Sequence, residues 1–314
     1  MQLKELDILR ELNKKNILYV SWKNNHEIDK FVEGKTDLDL YIPIIFCNEF
    51  KRIAKLTNWI CVYNPVADYK YIEHYYLILN NKILHLHIYF KIITGDNWLK
   101  EYELPIGRFL IENRVYNKKS GIFVLENKTQ AYLFVLRHLI KCGSIFSRFL
   151  YYKDKESYRK EWVSCLTNIN DLHDYGPIDI NYALYNSGIS NTKFDLSNFI
   201  FSKKFRFNLR KYLRFNDYYI FSLSIKSLIL RVVNKYFIKQ KKLLHNSGLI
   251  IVISGVDGSG KSTIVKQLNK NLSTFLTVKS YQLGKPQGGV IEFINKKTKS
   301  IKIKNKNFPE NNSR

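Results

Sequence analysis

Leu249-Ile250-Ile251-Val252-Ile253-Ser254-Gly255-Val256-Asp257-Gly258-Ser259-Gly260-Lys261-Ser262-Thr263 is the stretch that says most about this 314-residue chain. A continuous apolar run reads as a strand, and Gly255 to Ser262 then fits the pattern G-x-x-x-x-G-K-[ST]. Ile264, Val265, Leu268 and Leu272 follow at helical spacing. Strand, glycine loop and helix in that order are the arrangement the pattern needs in order to bind phosphate. Gly255, Gly258 and Gly260 let the backbone turn tightly, so that N–H groups around Val256, Asp257 and Ser259 aim inward at phosphate oxygens. Lys261 is placed to reach the β- and γ-phosphates as a point charge. Ser262, with Thr263 beside it, brings a hydroxyl to a bound Mg²⁺. The helix beginning there adds the positive end of its dipole. A glycine-rich turn without a ligand is the competing explanation of the same residues.

The loop from Gly255 to Thr263 resembles that of thymidylate kinase-like proteins, which commonly reads G-x-D-G-x-G-K-S-T. The resemblance covers about 60 residues and is more specific for a P-loop kinase than for thymidylate as acceptor. It implies an α/β domain that binds ATP with Mg²⁺ and moves a phosphoryl group to a nucleotide or other small acceptor. Lys261 is then the catalytic cation and Ser262 a metal ligand. Some members carry an arginine inside the loop where this chain has Asp257-Gly258-Ser259, so charge-stabilising arginines are expected from a later lid. Gly248 to Arg314 is 67 residues, and the lysine-rich tail Lys296 to Lys306 supplies neither a magnesium aspartate nor a lid. The expectation is a truncated kinase domain that binds nucleotide without turning it over.

Upstream, the chain reads as two further regions. Residues 1 to 125 form a small α+β domain: a helix from Leu3 to Lys15, strands at Ile17 to Trp22 and Leu38 to Ile42, a helix from Phe46 to Leu56, and a strand at Trp59 to Tyr63. Tyr71 to Leu79 and Ile83 to Ile93 then form a hairpin broken at Asn80-Asn81-Lys82. Residues 126 to 247 have longer helical patterns such as Ala131 to Ile140, with loops at Asp171 to Pro177 and Asn186 to Asn191. Asn246-Ser247-Gly248 breaks the pattern before the third region, 248 to 314. The fold class expected is therefore mixed, with α+β, helical and incomplete α/β parts.

In Gly34-Lys35-Thr36-Asp37-Leu38-Asp39-Leu40-Tyr41-Ile42, Asp37 and Asp39 fall on the same face of a strand, where they can share a divalent metal. This resembles the D-x-D strand of nucleotidyltransferases, which hold Mg²⁺ against a nucleoside triphosphate. The resemblance implies catalytic and metal-binding roles for Asp37 and Asp39. Two departures stand out. The preceding strand ends Val20-Ser21-Trp22-Lys23 where that family has Gly-Ser, and the place of its third carboxylate is taken by His85 and His87. An active transferase, a non-catalytic descendant and a coincidental turn all fit these residues.

The formal net charge is +24, from 51 basic and 27 acidic residues, and it is uneven. Residues 1 to 125 hold 18 basic and 15 acidic groups, so the excess lies further on. Lys203 to Lys242 alone carries 12 basic residues against Asp217, interleaved with Phe205, Phe207, Tyr212 and Phe215. Such a stretch suits nucleic acid or an anionic membrane surface, with Ile225 to Ile238 as a basic amphipathic helix. The competing reading is a solvated helical face. Cys47, Cys61, Cys142 and Cys165 have no zinc or disulfide spacing and read as reduced thiols. The beginning, Met1-Gln2-Leu3-Lys4-Glu5-Leu6-Asp7, lacks a secretory pattern, which gives a cytoplasmic expectation. Three activities remain open: phosphotransfer through Lys261, nucleotidyl transfer through Asp37 and Asp39, and binding of nucleotide or nucleic acid without turnover.

Overall fold

The computed structural model describes residues 3, 6–79, 82–96, 98–144, 147–149, 153–165, 168–186, 199–245, 248–274 and 276–281. Within these, the chain divides into two compact units, Met1–Gly248 and Leu249–Arg314. The protein is a mixed α/β chain, and the first unit is built on a largely open mixed sheet.

The described residues of this unit form ten strands: β1 (Val20–Ser21), β2 (Asp37–Tyr41), β3 (Ile60–Tyr63), β4 (Ile72–Leu79), β5 (Lys82–Tyr89), β6 (Ile92–Thr94), β7 (Tyr102–Leu104), β8 (Arg114–Asn117), β9 (Ile122–Leu125) and β10 (Leu243–Leu244). Eight of them lie in the order β10-β3-β4-β5-β2-β1-β9-β8, while β6 and β7 pair separately. β2 runs parallel to β5 and β1 parallel to β9; the other pairings are antiparallel. The expected hairpin forms in tight register, Leu79 opposite Lys82. Its turn residues Asn80 and Asn81 lie outside the described residues, as do Asn246, Ser247, the loop from 187 to 191 and the tail Lys296–Lys306.

Period-two alternation decides which side chains meet which layer. Leu38 and Leu40 of β2, with Leu84, Leu86 and Ile88 of β5, enter one core. Helices α1 (Asp7–Lys14) and α3 (Cys47–Leu56) close that face with Ile8, Leu9, Leu12, Phe50, Ile53 and Ala54, all buried. Each such Leu, Ile or Phe contributes roughly 1.5–3 kcal/mol when fully buried. Leu3, Leu6, Leu9 and Leu12, the stripe read from the sequence, are all inside. Asp7 in the first turn of α1 and Lys14 in the last complement its dipole.

The opposite face of β2 and β5 carries Asp37, Asp39, Tyr41, His85, His87 and Tyr89. The second core contains Tyr41 and Tyr89 together with Trp22 and the apolar residues of α5 (Asn127–Cys142). Nearly every residue of α5 from Thr129 to Cys142 is buried, because it is packed on several sides at once. Short helices α2 (Ile28–Val32) and α4 (Gly107–Glu112), the longer α6 (Lys155–Ser164), the short α7 (Asn181–Asn186) and the longer α8 (Phe199–Asn208) and α9 (Asp217–Val233) complete the unit. Three residues of the basic stretch are tied back onto the rest of this unit. Arg206 bonds Glu101 at 2.6 Å and the Ile140 carbonyl at 3.1 Å, Arg214 bonds the Lys100 carbonyl at 3.2 Å, and Lys242 bonds the Tyr76 hydroxyl.

In the second unit α10 (Lys261–Leu272) begins where the sequence places it. The apolar run Leu249–Ile253, expected as a strand, pairs in no ladder among the described residues, and Leu249, Ile250 and Val252 are exposed. A strand exists only through a hydrogen-bonded neighbour, so apolar sequence alone does not make one. No described helix is long and apolar enough to cross a membrane.

Candidate metal centre and phosphate loop

Parallel pairing of β2 with β5 sets Asp37 opposite His85 and Asp39 opposite His87. Because all four project from the same face, a dispersed set of polar residues becomes one cluster. Asp37, Asp39 and His87 each offer a ligand atom, and these atoms lie within 4.8 Å of one another. His87 Nδ1 is 3.0 Å from Asp39 Oδ1 and 3.5 Å from Asp37 Oδ2. Antiparallel β4 adds His74 opposite His87, with the two rings stacked at 4.3 Å. His74 Nδ1 also lies 3.0 Å from His85 Nε2, and the His85 ring stacks on Tyr76 at 4.3 Å.

Asp39 is buried and Asp37 partly exposed, so the cluster has a closed floor and an open side. Lys23, just beyond β1, reaches in with Nζ 2.8 Å from Asp39 Oδ1 and donates to the Tyr89 hydroxyl at 3.0 Å. Asn24, in a left-handed conformation with φ 56°, turns its side-chain amide to Asp39 Oδ2 at 3.2 Å. Asn is one of the few residues that adopts this region at small cost. Asp39 Oδ1 nevertheless accepts no directed hydrogen bond, although Lys23 and His87 stand within ion-pair range. A buried carboxylate oxygen left in that condition, beside a second carboxylate and an imidazole, fits a divalent cation.

Charge explains the protonation states. Burial alone would raise the Asp37 carboxyl, but the hydrogen bond from His87 and the charges of Lys23 and His85 hold it well below the usual range. Asp39 is held down against burial by Lys23 first and His87 second. Lys23 would lose its proton more readily through burial, yet the Asp39 charge keeps its ammonium above the usual value. Burial, reinforced by Lys242, depresses His85 to about 3. Both carboxylates are therefore ionised and His85 is neutral at neutral pH.

Further cations lie near Lys23. α5 carries Gln130, Arg137 and Lys141 on one stripe. Gln130 accepts from the Asn25 amide at 2.7 Å, and Asn25 in turn accepts from the Ser21 hydroxyl at 2.6 Å, which fixes the helix against the end of β1. Arg137 is buried, 3.5 Å from Glu161 and above the Trp22 ring at 5.6 Å. Lys100 sits at φ 52° in the loop after β6, with its N–H bonded to Asp96 and its carbonyl to Arg214. Burial, followed by repulsion from Lys23, lowers the Lys100 ammonium to about 8. Burial, followed by repulsion from Lys100 and Arg137, pushes Lys141 well down. Among the described residues no carboxylate lies within ion-pair distance of Lys100 or Lys141.

The phosphate loop is a separate and different object. Gly258 and Gly260 have φ of 84° and 81°, values that side chains disfavour, so glycine is required there. Gly260 caps α10, and its carbonyl accepts from Thr263 at 3.0 Å and Ile264 at 3.1 Å. Lys261 folds over the loop, with Nζ 2.7 Å from the Gly255 carbonyl, 2.6 Å from that of Val256 and 3.5 Å from Asp257. Gly255, Val256, Asp257, Gly258, Ser259, Gly260, Ser262 and Thr263 are all exposed. Lys261 thus spans the hollow of the loop on its own backbone carbonyls.

Asp37 and Asp39 come together as the sequence suggested, with His87 as their partner. Lys23, Asn24, His74, Lys100, Arg137 and Lys141 were not singled out from the sequence as site residues. Only Lys23 carried any signal, as the departure at the end of β1; the others are brought in by strand register and by α5. Comparison of the chain with family models, curated proteins and solved structures yields no match in any of the three.

Proposed function

We propose that the first unit is a divalent-metal-dependent transferase of the nucleotidyltransferase type, acting on a phosphate-bearing nucleotide. The observation that carries this reading is the meeting of Asp37, Asp39 and His87 within 4.8 Å on one sheet face. The neighbouring cations support it. Among the described residues no carboxylate pairs with Lys100 or Lys141, both half-buried, and a partly desolvated cation without one is unfavourable unless a ligand compensates it. An anionic ligand beside the metal ligands supplies that compensation. Nucleotidyl transfer joins an acceptor oxygen to the α-phosphorus and breaks its bond to the β-phosphate oxygen. The acceptor's proton passes to solvent or a base, and pyrophosphate leaves. A divalent ion held by Asp37, Asp39 and His87 would neutralise charge on the reacting phosphate. Lys23, Lys100, Arg137 and Lys141 would orient the remaining phosphates and offset the charge that develops on the leaving group.

A second reading concerns the second unit alone: an ATP-binding loop of a thymidylate kinase-like phosphotransferase. It is favoured by the left-handed Gly258 and Gly260 and by Lys261 standing at the first position of α10. The two readings separate in a single experiment. Binding of ATP to the purified chain is titrated with and without Mg²⁺ or Mn²⁺ in Lys261→Ala and in the double variant Asp37→Asn/Asp39→Asn. The first reading expects a metal-dependent component that persists in Lys261→Ala and disappears in the double variant. If that component survives the loss of both carboxylates, the first reading fails.

A further inference from the structure

We propose that the Asp37–Asp39–His87 centre takes a first-row transition ion of the manganese type in preference to magnesium. This deepens the metal-dependent reading above and rests on it. The argument comes from the donor set and from what surrounds each donor.

Asp39 Oδ1 and Asp37 Oδ2 are hard oxygen donors, suited to Mg²⁺, Mn²⁺ or Ca²⁺ alike. The third donor is an imidazole. Mg²⁺ demands near-octahedral oxygen coordination and gives up water reluctantly, whereas first-row transition ions accept imidazole nitrogen and bind it more tightly along the series from Mn²⁺ to Cu²⁺. His87 is positioned by ring stacking and by contacts at Nδ1, the nitrogen whose proton a bound ion would replace. The His74 ring stacks on it at 4.3 Å, the Tyr89 hydroxyl stands 3.3 Å from Nδ1, and both carboxylates approach that same nitrogen. A carboxylate side chain of another residue cannot substitute: among the described residues, no other acidic group joins the cluster.

Lys23 affects strength rather than choice. Its ammonium, 2.8 Å from Asp39 Oδ1, repels every divalent ion by the same Coulomb interaction, so it weakens Mg²⁺ and Mn²⁺ equally. Discrimination between them therefore falls on the nitrogen. Asn24, donating to Asp39 Oδ2 at 3.2 Å, occupies the carboxylate's other oxygen and leaves Oδ1 as the one beside His87 Nδ1, at 3.0 Å.

The test uses the full chain, stripped of metal and without nucleotide, so that the phosphate loop offers no metal–phosphate pair. Binding of Mn²⁺ is followed by loss of the free-ion electron paramagnetic resonance signal, and Mg²⁺ is then added as competitor. The expected result is a Mn²⁺ site that needs about tenfold or more Mg²⁺ over Mn²⁺ for half displacement. Two variants probe the nitrogen: His87→Asp, which makes an all-carboxylate set, and His87→Gln, which keeps the ring's approximate length and polarity. His87→Asp should bring the Mn²⁺ to Mg²⁺ preference towards unity while both ions still bind. His87→Gln should lose most of the Mn²⁺ affinity with an unchanged circular dichroism spectrum. Displacement by equimolar Mg²⁺ in the unaltered chain, or an unchanged preference in both variants, overturns the selectivity while leaving the metal site standing. Absence of binding by either ion in the unaltered chain overturns the metal site and the selectivity together.

Discussion

The two candidate sites are built in opposite ways. The phosphate loop is contiguous, exposed and held by its own backbone: two left-handed glycines, a helix start and a lysine resting on loop carbonyls. The carboxylate centre draws on β1, β2, β4, β5, α5 and the loop after β6, and Asp39 and Arg137 lie buried within it. A site of the first kind tolerates the loss of its charged residue without penalty to folding. In the second kind, ligand binding and folding share the same charges, so each substitution must move both.

The largest effect expected from that contrast is at Asp39. Replacing it by Ala removes the carboxylate from buried Lys23 and from His87, and an uncompensated buried charge typically costs about 3–5 kcal/mol. Urea unfolding of Asp39→Ala should show a fall of this size, and metal binding should vanish. Adding Lys23→Met to Asp39→Ala should recover most of the stability and none of the metal binding. If Asp39→Ala unfolds at the same urea concentration as the unaltered chain, the pairing with Lys23 is not a structural element and the contrast breaks.

Lys261 is the counterpart. Its bonds run to exposed loop carbonyls, so Lys261→Ala should leave stability within about 0.5 kcal/mol while weakening ATP binding at the loop by about 10- to 100-fold. Calorimetric titration and a thermal melt on the same sample decide it. A large loss of stability here would show that the loop lysine is structural, and the distinction between the two sites would narrow.

How much of this could be read beforehand follows from the same contrast. The start of α10 was legible because its signal lies within consecutive residues, and Gly258 and Gly260 take the left-handed conformations that a tight turn needs. The apolar stripe of α1 and the pairing of β4 with β5 were legible for a similar reason: periodicity is local. Asp37 and Asp39 were legible as a pair on one strand face. Their partner was legible only as far as His85 or His87, since it takes the parallel register of β2 with β5 to set His87 against Asp39. Arg137 and Lys141 read as ordinary helix residues until α5 packs against the end of β1. The apolar run Leu249–Ile253 was misread as a strand because hydrophobicity indicates a tendency to pair without supplying a partner.

The smallest effect sharpens the contrast most, because it reverses the usual sign. Lys100 is a half-buried cation with no carboxylate in ion-pair range among the described residues, so substituting it should stabilise the free chain while weakening anion binding. Its native ammonium is lowered to about 8, by burial first and by repulsion from Lys23 second, whereas an unfolded lysine titrates near 10.4. Between those values the unfolded chain holds the proton that the folded chain has released, so stability must rise with pH across that window. Because Lys100 remains partly open to solvent, the rise should be less than the full 1.4 kcal/mol per pH unit, on the order of half that. Lys100→Met should raise stability at pH 7 by about 1 kcal/mol and flatten the slope above pH 8. The same variant should bind pyrophosphate about tenfold more weakly in the presence of Mn²⁺. In the unaltered chain, pyrophosphate binding at pH 8.5 should draw a proton from the buffer, because an anion beside Lys100 restores its preference for the charged form. Titration in two buffers of different ionisation enthalpy measures that uptake directly. A carboxylate-paired lysine would show neither the uptake nor the rising stability, so their absence would place Lys100 among the ordinary ion pairs of the fold and remove it from the anion site.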